Sequence, residues 1–67
     1  MEDNTRPLKH MKRFRFWFHP NGGFGVPVIK EGFSLQDARY NAETEMNGER
    51  VTFCDVWNFD SEEWVLL

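Results

Sequence analysis

The side chains that could do covalent or acid–base chemistry are few and scattered in this 67-residue chain. Its histidines are His10 and His19, and its one cysteine is Cys54. Histidine is the usual general acid or base, but His10 lies in a polar N-terminal stretch and His19 precedes Pro20 at a loop. Cys54 sits inside an alternating run, where a free cysteine behaves as a small hydrophobe. Zinc sites need clustered Cys and His at set spacings, and no Asp/Asn loop matches the EF-hand pattern. Gly22-Gly23-Phe24-Gly25 leads into a strand, whereas a phosphate cradle leads into a helix N-terminus. It reads as a hairpin turn. The expectation is a non-enzymatic protein with no catalytic residues, no metal and no cofactor.

Aromatic and basic residues interleaved on strands are the one suggestive pattern. Residues 12–18, Lys-Arg-Phe-Arg-Phe-Trp-Phe, alternate with period two, as a strand with one buried face does. Phe14, Phe16 and Phe18 share one face, and Arg13, Arg15 and Trp17 the other. Residues 50–58 form a second such run, with Thr52, Cys54 and Val56 on one face and Val51, Phe53, Asp55 and Trp57 on the other. A lone aspartate is costly in a core, which turns the Asp55 face outward. The partner-binding candidates are therefore Arg13, Arg15, Trp17, Phe53, Asp55 and Trp57 on one open sheet face. Aromatics beside arginines resemble a base-stacking platform for single-stranded nucleic acid. The overall charge of −3, Asp55 in the middle of the patch and the lack of an RNP-type motif favour a protein partner or a homodimer. Trp, Phe and Arg are enriched in interface cores. The competing expectation is that Met1–His10 or Trp64–Leu67 folds over this face.

The elements that position these residues follow from local signals. Pro20, Asn21 and Gly22-Gly23 supply a hairpin loop. Residues 24–30 return as a strand, which Pro27 confines to a sheet edge. Ser34 is an N-cap, with Asp37 three residues on. The helix is expected over about 35–47, stopping at Gly48, with Leu35, Ala38, Ala42 and Met46 as its apolar stripe. Residues 63–67 complete a fourth strand. The fold class is α+β: a four-stranded, mainly antiparallel sheet, β-β-α-β-β in strand order 2-1-3-4, with one helix on one face. Residues 1–11 are expected to be a flexible tail and 12–67 a single domain.

Composition bounds the rest. A chain this short buries only about 60% of its unfolded surface, which excludes a second domain. Eleven aromatic residues argue against disorder. One cysteine excludes an intrachain disulfide. No apolar run reaches membrane-spanning length, and the first ten residues lack the apolar stretch of a secretory signal. A cytoplasmic protein is the expectation. Charge is uneven: residues 1–30 carry six cations against two anions, and residues 31–67 two against nine. Facing strands of opposite charge support pairing.

Phe14-x-Phe16, the Asn21-Gly22 hairpin, the helix with Ala38 and Ala42, and Val51-x-Phe53 together resemble small uncharacterised β-β-α-β proteins of bacteriophages, especially those of marine cyanobacteria. The resemblance covers about residues 12–58. It implies an accessory protein that binds and modulates a host protein, and it carries over no catalytic residues.

Overall fold

A computed structural model describes residues 11–67, so the expected tail and His10 lie outside the described residues except for Met11. Four strands, β1 (Lys12–Phe18), β2 (Val26–Gly32), β3 (Phe53–Asn58) and β4 (Glu63–Leu66), form one sheet in the order β2-β1-β3-β4. Every neighbouring pair is antiparallel. One helix, α1 (Leu35–Glu45), joins β2 to β3. This is the α+β architecture and strand order expected from the sequence.

The sheet is built around β1. Phe16 and Phe18 are fully buried, and Phe14, Val28, Ala38 and Ala42 complete the core. Met46, Val51, Cys54 and Val56 pack against it. Small residues bring the helix close: a Cβ on Gly32 would lie 3.4 Å from the Ala38 Cβ. The helix packs chiefly on β2 and less on β1. Leu35, expected in the apolar stripe, is therefore exposed at the rim.

Boundaries differ from the sequence expectation by a few residues, each for a local reason. The second strand starts at Val26 and runs on past residue 30 to Gly32, which pairs with Lys12. The residues before it remain in the loop, where Pro20–Gly22 form a 3-10 turn with Asn21 and Gly22 at positive φ. Ser34 caps α1 as expected, its Oγ accepting from the Asp37 amide at 3.2 Å. The helix stops before Gly48 because Asn47, at φ 58°, takes the left-handed position. The Gly48 amide then donates to the Glu43 carbonyl and the Asn47 amide to Thr44, a Schellman closure. Residues 50–52 precede β3: the Val51 amide donates to Glu43 Oε2, and the Thr52 amide to the Trp17 carbonyl.

The β3–β4 turn rests on Asn58, whose side-chain oxygen accepts from the Asp60 and Ser61 amides at 2.9 and 3.1 Å. Glu62 closes it at φ 55°, a conformation that costs a residue with a Cβ roughly 1–2 kcal/mol.

Two outcomes test this account by urea denaturation. Phe16→Ala should lose about 3–5 kcal/mol, the usual range for a buried phenylalanine. Glu62→Gly should gain up to about 1 kcal/mol by relieving the left-handed turn position.

Candidate functional site

Residues opposite one another on antiparallel strands share a face, so the register lays out the side opposite the helix in rows. One row reads Ile29, Arg15, Asp55, Leu66 across all four strands. A second reads Pro27, Trp17, Phe53. Glu31 faces Arg13, and Trp57 faces Trp64, at the far end. All six sequence-derived candidates lie on this side, as their alternation requires.

Asp55 is the centre of the arrangement. Its Oδ2 accepts from Arg15 Nε at 2.8 Å and from Trp17 Nε1 at 2.9 Å, and Arg15 Nη2 lies 2.8 Å away. The Arg15 guanidinium lies over the Trp64 ring at 4.5 Å and the Trp17 ring at 5.1 Å. Trp64 in turn packs edge-on against Trp57 with centroids 5.1 Å apart. Arg13 is held by Glu31 at 2.8 Å and lies over the Phe59 ring.

This corrects one expectation about the face. Asp55 points away from the helix yet is only 7% exposed, because neighbouring side chains cover it. Arg13, Arg15, Trp17 and Trp57 are half-buried, and Phe53 alone among the candidates is well exposed. The C-terminal residues do not fold over the face: Glu63–Leu66 extend the sheet as β4, from which Trp64 lies against the Arg15 guanidinium. The accessible apolar surface belongs to Phe53, Leu66 and Ile29, with Phe24 projecting from the hairpin loop. Leu66 and Ile29 were not among the sequence candidates. Their parity would have placed them here once the strand registers were known.

Arg15, Trp17, His19, Gly25, Phe53, Asp55 and Leu66 line a shallow depression of about 460 Å³. Thr52 Oγ1 lies 2.9 Å from the Trp17 carbonyl oxygen. The same Oγ1 lies 2.7 Å from His19 Nδ1, within hydrogen-bond distance. Gly25 makes room for the ring, since a Cβ there would lie 3.1 Å from His19 Nε2 and 3.2 Å from Trp17 Cε3. His19 is thus held by a hydroxyl and packs edge-on against Phe53. Cys54 is on the opposite side, partly buried against the core. Its thiol pKa is raised, first by burial and then by Asp55, with Arg39 opposing. Among the described residues no group of three or more His, Cys, Asp or Glu is placed to hold a metal. No helix among them is long and apolar enough to cross a membrane.

Compared with family models, curated proteins and solved structures, the chain matches none.

Two measurements test this geometry. Asp55→Ala, which leaves Arg15 and the Trp17 N–H without their acceptor, should cost about 3 kcal/mol in urea denaturation. Cys54 should react with iodoacetamide more slowly than a free thiol at pH 8, because the raised pKa lowers the thiolate fraction. The same shift makes its contribution to stability full below the ordinary thiol pKa and lost as pH rises through the folded value.

Proposed function

We propose that the chain is a small, non-enzymatic protein-interaction module of the cytoplasm. In this reading it uses the sheet face opposite the helix to bind a host protein or to self-associate, in the manner of a phage-type accessory protein. The observation that carries the reading is the neutralisation of this face from within. Arg15 is held by Asp55 and Arg13 by Glu31. Nucleic-acid affinity comes largely from cations released onto phosphates, and these two are already engaged. What remains accessible is a neutral, largely apolar surface formed by Phe53, Leu66 and Ile29 beside the half-buried Trp17. Such patches on small soluble domains mark contact sites. Phe53 and Leu66 are the contact residues in this reading. Arg13, Arg15, Asp55 and Trp57 hold the platform that presents them.

Single-stranded nucleic acid stacking on Trp17 and Phe53 is the alternative, and one experiment separates the two. A photo-crosslinking amino acid is placed at position 66, with a control at position 40, which is equally exposed on the helix. Both proteins are irradiated in the cells that express them. Protein adducts from position 66 that are absent from position 40 are expected. Adducts to nucleic acid alone, or equal adducts from both positions, would overturn the reading. Titration with a mixed-sequence oligonucleotide at low salt should leave tryptophan fluorescence unchanged.

A further inference from the structure

We infer that this face binds a second copy of the chain, packed sheet to sheet about a twofold axis that runs along the strands. The inference rests on the interaction-module reading and names its partner. Two sheets packed face to face keep their strands within about 30° of one another, roughly 10 Å apart. A twofold axis along the strands reverses the lateral order and keeps each row level. With strand order β2-β1-β3-β4, β2 then lies over the second copy's β4, and β1 over its β3.

The row Ile29, Arg15, Asp55, Leu66 is self-complementary under that operation. Ile29 meets the second copy's Leu66 at one end, and Leu66 meets the second copy's Ile29 at the other. In the middle, Arg15 comes over the second copy's Asp55 and Asp55 over its Arg15. The two internal ion pairs thus lie antiparallel. The neighbouring row brings Trp17 over the second copy's Phe53. An in-plane axis across the strands, passing over this same row, would instead stack Arg15 on Arg15 and Asp55 on Asp55. Like charges placed opposite one another disfavour that arrangement. Charge therefore favours the axis along the strands over the axis across them.

The available area fits a weak pair. On this face Ile29 is 53% exposed, Phe53 56% and Leu66 67%, with Arg13, Arg15, Trp17 and Trp57 half-buried around them. With a fully exposed large side chain offering about 150–250 Å², the three exposed ones present about 300 Å² per copy. Two copies would bury roughly 600 Å² from these three alone, with the half-buried residues adding to it, the size of a weak, reversible contact.

The test is sedimentation equilibrium of the wild type, Ile29→Lys, Leu66→Glu and an equimolar mixture of the two variants. Circular dichroism verifies that each variant is folded, and both side chains are exposed. The wild type should show a monomer–dimer equilibrium. Each variant alone should be monomeric, with affinity lowered at least about 100-fold. The mixture should regain a dimer, because the lysine of one variant lies over the glutamate of the other while the second contact stays apolar. Within one chain positions 29 and 66 are three strand spacings apart, about 14 Å, too far to pair directly.

A wild type that is monomeric at about 1 mM would overturn the dimer. Variants that remain dimeric would place the interface elsewhere, and a mixture that stays monomeric would overturn the proposed axis. A monomeric wild type that still crosslinks a different protein from position 66 would sink the dimer and leave the interaction-module reading standing. Absence of both would remove the two together.

Discussion

Asp55 Oδ2 receives three polar contacts, two from the Arg15 guanidinium and one from the Trp17 indole N–H. A buried carboxylate is costly unless it is paired and hydrogen-bonded, and here the partners come from the neighbouring strand directly across the ladder. The arrangement holds the central pair of strands together on the side without the helix. It orients Trp17, and it places the guanidinium between two indole rings. The aromatic residues on this side are thereby fixed as a platform around one carboxylate.

The same constraint divides the molecule into two unlike halves. On the helix side, cohesion comes from close packing of three phenylalanines against two alanines. On the other side it comes from paired charges roofed by aromatic rings. The lysine at position 30 links the sheet to the helix through Glu45, and Glu43 reaches the Val51 amide. The acidic second half of the chain thus supplies partners for the basic first half. Arg13–Glu31, Arg15–Asp55 and Lys30–Glu45 each join a cation from residues 1–30 to an anion from residues 31–67. Charge asymmetry along the sequence becomes charge pairing in space.

The architecture was legible because its signals are local. Alternation over residues 12–18 set the faces of the central strand, Pro27 pointed to an edge, and Ser34 marked the start of the helix. The covering of Asp55 was not legible. Alternation assigns a side chain to a face, but its burial depends on what the next strand places beside it. The neighbours of Asp55 come from both sides: Arg15 and Trp17 bond it from β1, and Leu66 stands opposite it on β4, in a register set by a turn closed at Glu62 in a left-handed conformation. Nothing in the residue type at that position announces it, since glycine or asparagine is the usual occupant. Leu66 and Ile29 carry no signal of their own for the same reason. They are ordinary strand residues until the registers of β2 and β4 bring them to the ends of one row.

The two sides of β1 also set different rules for sequence change. On the helix side the positions are bound by volume, and Phe16 and Phe18, with no exposed surface, share one core with Phe14, Val28, Ala38 and Ala42. On the opposite side the positions are bound by sign. Position 15 cannot lose its charge freely, because Asp55, only 7% exposed, would be left without its cation. Divergent versions of this domain would therefore compensate by volume within the phenylalanine stripe and by charge across the strands. A single strand of seven residues would carry both records, read on alternate positions.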